Sequence, residues 1–178
     1  GLPQVESLKN KSERFLYSAK NTLRDIALIF NPLFDKSFKG AKYNIVRDWA
    51  IKEFGSEAPI SKMLMEDEKW IEQVGKMRNV IEHPGDELAP LTISNVDVCI
   101  NNNGQNDFLV PSWHLNKMKP VPICEDMISI TENILELAED LLVCSYTQLH
   151  PDSIVRFVEI PKGERNSKCP IRYKAIID

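Results

Sequence analysis

The chain has 178 residues, 43% hydrophobic and 27% charged, values that exclude a disordered or collagen-like chain and suit a single globular domain over 1–178. A net charge of −4 argues against a protein that coats duplex DNA, while leaving room for a local basic site. No apolar run approaches the roughly 18 residues a membrane-spanning helix needs, so no membrane partner is expected. The opening segment from Gly1 to Glu6 has no basic patch ahead of an apolar run, so no secretory signal is expected. Cys99, Cys124, Cys144 and Cys169 are too widely spaced for a zinc knuckle. A reducing, cytoplasmic setting follows as the expectation.

Residues 5 to 30 read as a first helix. Val5, Leu8, Phe15, Leu16, Ala19, Leu23, Ile26 and Phe30 recur at three-, four- and seven-residue spacings, which gathers them on one broad stripe. Pro32 should stop or bend that helix, because proline lacks an amide donor and clashes with the preceding turn. A second helix is expected over 37–54, with Phe38, Ala41, Ile45, Trp49 and Phe54 on its apolar face and Gly55 after its end. A third is expected over 61–82. Its clearest row is Trp70, Val74, Met77 and Ile81, and acidic Glu66, Asp67 and Glu68 suit its N-terminal part. Pro84 pushes His83 out of helical geometry and closes it.

The segment 84–122 is rich in proline and holds the turn-forming run Asn101-Asn102-Asn103-Gly104. Alternating residues from Ile93 to Ile100 before that run, and Phe108-Leu109-Val110 after it, predict a β-hairpin inserted between helices. A fourth helix is expected over 123–147, striped by Met127, Ile130, Ile134, Leu137, Leu141 and Leu142 and opened by Glu125 and Asp126. In the β-rich extension over 151–178, Ile154–Ile160 and Ile171–Ile177 flank Lys162-Gly163-Glu164-Arg165-Asn166, which predicts a second hairpin. The expected fold is mainly α: an antiparallel four-helix bundle with a β-hairpin insertion and a C-terminal β-hairpin.

One stretch carries chemistry: Lys76-Met77-Arg78-Asn79-Val80-Ile81-Glu82-His83-Pro84-Gly85. An arginine fork matches the equatorial oxygens of a phosphate that gains charge in a transition state. An imidazole can take a proton from an attacking hydroxyl or give one to a leaving oxygen. On an ideal helix the spacing sets Arg78 and His83 about 140° apart, which is awkward for one helix and natural for two copies facing across a two-fold axis. The same residues also read without any catalysis. Glu82 lies four positions after Arg78 and can form an ordinary helical ion pair, and His83 suits the helix C-terminus.

The stretch resembles the Arg-x(4–6)-His signature of the HEPN superfamily, whose residue after the arginine is a polar one, here Asn79. The resemblance covers about 5 to 147 and implies a helical bundle. It also implies a metal-independent endoribonuclease with no cofactor, in which the 2′-hydroxyl of RNA attacks the adjacent phosphorus at a dimeric site. Arg78 would then steady the phosphate, His83 exchange protons and Asn79 support them. It further implies a homodimer, an RNA substrate, and a place in defence or a toxin–antitoxin pair with an antitoxin or other protein partner. A non-catalytic dimerisation or binding module is the alternative the family also contains. HEPN toxins modified by a nucleotidyltransferase antitoxin carry a tyrosine two residues after the histidine. That position is Gly85 here, so such a modification has no acceptor.

Two further sets could touch RNA. Lys39, Lys42 and Arg47 form a modest basic cluster that either guides RNA or is solvated surface charge. Trp113 and His114, with Lys117 or Lys119 nearby, either stack on a base or pack a loop. No metal site is expected, because no histidine has a ligand-type partner at helical spacing.

Overall fold

The computed structural model describes residues 2–40, 42–85, 90–101, 103–116, 118–169 and 171–177. Gly1, Ala41, Asn102 and Lys117, named above, lie outside the described residues. The helices are α1 (Leu8–Leu28), α2 (Phe30–Phe34), α3 (Tyr43–Phe54), α4 (Pro59–Glu66), α5 (Glu68–Glu82) and α6 (Ile123–Leu149). Between α5 and α6 lie strands β1 (Leu91–Ser94), β2 (Asp97–Ile100), β3 (Asn106–Leu109), β4 (Ser112–Leu115) and β5 (Val121–Pro122). After α6 come β6 (Val155–Glu159), a 3-10 turn (Lys162–Glu164) and β7 (Tyr173–Ile177).

The expected antiparallel four-helix bundle does not form. Its third helix is broken in two, a five-residue helix follows the first, and α1 and α6 are each divided between two compact units. The first break falls at Ile29 rather than at proline. Pro32 sits inside α2, within the first turn, where a missing amide costs no intrahelical bond. The third helix breaks at Asp67, and Glu68 opens α5 with a favourable charge at its N-terminus. Two compact units result. One comprises Gly1–Thr22 and Trp70–Thr131, the other Leu23–Lys69 and Glu132–Asp178.

In the first unit the buried hydrophobic residues are Leu16 and Ala19 of α1, Ile71, Val74, Met77 and Val80 of α5, Trp113 of β4, and Ile123 and Ile130 of α6. The insertion is more than a simple hairpin. β1 pairs with β4, which also pairs with β5, while β2 pairs with β3, all antiparallel. The ladder is interrupted opposite Pro111, which has no N–H to donate. At the facing interruption Asn95 turns outward. It accepts from the Val5 amide at 2.9 Å and donates to the Val5 carbonyl at 2.9 Å, tying the N-terminal segment to the insertion. The far end of the insertion is apolar and exposed, with Phe108 at 69%.

In the second unit Phe30, Phe34, Phe38 and Phe54 surround Trp49, with ring centroids 5.2 to 6.1 Å from it. The Asn31 side chain draws the loop after α2 back by accepting from the Phe38 amide at 2.7 Å. β6 and β7 form an antiparallel hairpin. It is fastened to α6 by Arg172, which donates to Asp140 at 2.9 Å, and by the Tyr173 hydroxyl, which donates to the same carboxylate at 2.6 Å.

Trp113 is only 1% exposed, and its indole N–H donates to Asp126 at 2.6 Å. Replacing it by Phe removes a charge-assisted bond and leaves a void. Trp113→Phe should therefore lower the unfolding free energy by about 2–3 kcal/mol, read from urea melts.

Candidate functional site

The segment of α5 is helical because its apolar residues fall on one face: Ile71, Val74 and Met77 are buried in the first unit. That leaves Arg78, Asn79 and Glu82 on the partly exposed side. The helix ends at Glu82, but the His83 amide still donates to the Asn79 carbonyl at 2.9 Å. His83 is thus held one step past the helix, in a bend, and is freed from the ideal helical wheel.

This local ending brings Arg78 and His83 to the same group. Arg78 Nη2 donates to Glu82 Oε1 at 2.8 Å, and Nη1 donates to Glu82 Oε2. His83 Nε2 lies 3.4 Å from Glu82 Oε2. The awkward separation expected on an ideal helix is therefore overcome inside one chain, because Glu82 reaches both neighbours. Asn79 accepts a long bond from Arg78 Nη1 at 3.4 Å. The Arg78 side chain is 22% exposed and that of His83 58%.

Two residues of α1 complete the surroundings, and the sequence reading had not singled them out. The Arg78 guanidinium lies over the Tyr17 ring, 5.1 Å from its centroid, a cation–π placement. Lys20, one turn further along α1, is half-buried. Burial first, and the Arg78 charge second, hold its ammonium below the usual lysine range. The ammonium fits there because α5 carries Gly75: a Cβ at that position would lie 3.3 Å from Lys20 Nζ. A glycine in the middle of an otherwise regular helix, at a cost of roughly 1 kcal/mol against alanine, was the signal available in the sequence.

Across the same helix end, a cleft of about 730 Å³ is lined by Val80, Ile81, Pro84 and Gly85, with Lys9 and Glu13 from α1. Arg78, Asn79 and His83 do not line it. Among the described residues no three His, Cys, Asp or Glu side chains gather into a metal site.

The other expected contact residues fall elsewhere. Trp113 offers no face to a base, being buried with its N–H bound to Asp126, which corrects the stacking reading. His114, the next residue of β4, has Nδ1 2.7 Å from the Asn116 carbonyl oxygen. Lys39 and Lys42 are exposed and, with Arg47, belong to the second unit. Arg47 is committed to two carboxylates, Asp48 at 2.7 Å and Glu68. It is not spare charge for a backbone phosphate. Nearby, burial and then the Asp67 charge push the Tyr43 phenol well above its ordinary range.

The lowered Lys20 value sets a pH dependence. Below its folded pKa the half-buried ammonium destabilises the fold. As pH rises towards the ordinary value of 10.5, the unfolded chain binds more protons than the folded one, so stability rises. Lys20→Met lacks that ammonium. It should need more urea to unfold than the natural chain at pH 7, and the gap should narrow as pH approaches 10.

With this geometry in hand, comparison with known proteins adds no relative: no family model, no curated protein and no solved structure matches the chain.

Proposed function

We propose that the protein is a metal-independent endoribonuclease of the HEPN chemical type, with Arg78 and His83 as its catalytic groups. The observation that carries this reading is that one anion, the Glu82 carboxylate, is engaged by the Arg78 guanidinium and approached by the His83 imidazole. A scissile phosphate needs those two groups on its oxygens. In the reaction the RNA 2′-oxygen bonds to phosphorus and the bond to the 5′-oxygen breaks. The products are a 2′,3′-cyclic phosphate and a free 5′-hydroxyl. His83 accepts the 2′-hydroxyl proton, and the leaving oxygen takes up a proton in exchange. Arg78 stabilises the charge on the equatorial oxygens, and Asn79 holds Arg78 in place.

A homodimer extends the same reading. Two copies across a two-fold axis would supply two His83 imidazoles, one neutral as base and one protonated as acid. The same reading places the protein in a reducing, cytoplasmic setting. No helix among the described residues is long and apolar enough to cross a membrane.

A second reading, a non-catalytic binding module, is favoured by one observation: Arg78 is already saturated by Glu82 on two of its nitrogens. Incubation with mixed RNA in EDTA separates the two. The ribonuclease reading expects cyclic-phosphate ends, a loss of roughly 10²–10⁴ in rate for His83→Ala, and a comparable loss for Arg78→Ala. Absence of cleavage by the natural chain leaves the binding module.

A further inference from the structure

Lys20 and Arg78 are two cations that share one seam of the first unit. Lys20 reaches α5 at Gly75, and Arg78 stands one turn further along the same helix. Arg78 in turn lies over Tyr17, one turn back from Lys20 on α1. Their interaction is unfavourable: burial first, and the Arg78 charge second, disfavour the Lys20 ammonium. Against them stands one carboxylate, Glu82, and it contacts only Arg78 of the pair. Lys20 has no hydrogen-bond acceptor or counter-ion among the described residues. Arg78 Nε is buried without a partner. Like charges drawn together, with donors left over, are costly unless an anion joins them. A planar fork and a compact ammonium on one seam match an anion with several oxygens at tetrahedral angles better than they match a second carboxylate.

We propose that Lys20 and Arg78 together seat one backbone phosphate of single-stranded RNA, and that Glu82 is the internal anion this phosphate displaces from Arg78. The seat deepens the ribonuclease reading. It depends on that reading only for the identity of the strand that brings the phosphate. Lys20 is a binding residue here. It takes no proton in the reaction, and the absence of a side chain at Gly75 gives it its place.

The test uses the full chain and a fluorescent 2′-O-methyl oligoribonucleotide, which carries phosphates but has no 2′-hydroxyl to attack. Binding is followed by anisotropy across a salt series. Lys20→Gln should weaken binding about tenfold, the loss of one charge-assisted contact. It should also reduce the slope of log affinity against log salt by about 0.7, one phosphate contact fewer on a single strand. Lys20→Arg should keep the natural slope. Glu82→Gln, an exposed position that folding tolerates, should tighten binding by releasing Arg78. No binding by the natural chain overturns the proposal, as does an unchanged slope in Lys20→Gln or unchanged affinity in Glu82→Gln. Cleavage of the matching all-ribose strand is measured beside it. Lys20-dependent binding without cleavage removes the ribonuclease reading and leaves the phosphate seat standing.

Discussion

The Glu82 carboxylate at the last residue of α5 holds the Arg78 guanidinium and lies within reach of the His83 imidazole. Two kinds of constraint put it there. The helical repeat stacks Glu82 one turn above Arg78, which makes the ion pair a local event. Pro84 then prevents the helix from continuing, so His83 leaves the regular path immediately after Glu82. A guanidinium, a carboxylate and an imidazole are thereby assembled from six consecutive residues, with no long-range contact required among them. What the tertiary fold adds is the floor. Tyr17 and Lys20 arrive from α1, and they turn a surface ion pair into a partly shielded cluster whose positive charge exceeds its negative.

The arrangement also accounts for the tension between the two functional readings. An arginine whose two terminal nitrogens are held by an internal carboxylate is a poor phosphate ligand until the carboxylate gives way. The bond is exposed at Glu82 and so is weak in water, on the order of a few tenths of a kcal/mol for a helical pair of this spacing. On the proposed reading, a phosphate that also meets Lys20 gains an interaction that Glu82 does not make. The internal pair therefore preorganises the guanidinium while remaining easy to displace.

Much of this could be read from the sequence, and the parts that could not have physical causes. The periodic row through Val74 and Met77 locates α5, because burial of a single face dictates that spacing. The Arg78–Glu82 pairing and the closure at His83 follow from local rules. The break at Asp67 did not show, since an acidic residue there suits a helix start or a helix interior equally well. The bundle expectation failed for a related reason. Apolar stripes report which face of each helix is buried, but not that α1 and α6 would each serve two separate cores. Trp113 was ambiguous because an indole in a proline-rich segment looks the same whether it faces solvent or a core. Its partner Asp126 is 13 residues away in another element, beyond any local pattern.

Gly75 carries a consequence of its own. In most buried helical positions, enlarging the residue is resisted by packed carbon, and tolerance declines with volume. Here the obstacle is the tip of one flexible cation. An alanine at 75 would set its Cβ against that cation alone, and its main effect would be to push the ammonium aside by a few tenths of an ångström, disturbing the charge pattern on that seam rather than the carbon packing. Position 75 thus couples backbone and charge: the side chain left out of one helix sets how closely a cation of another can approach it.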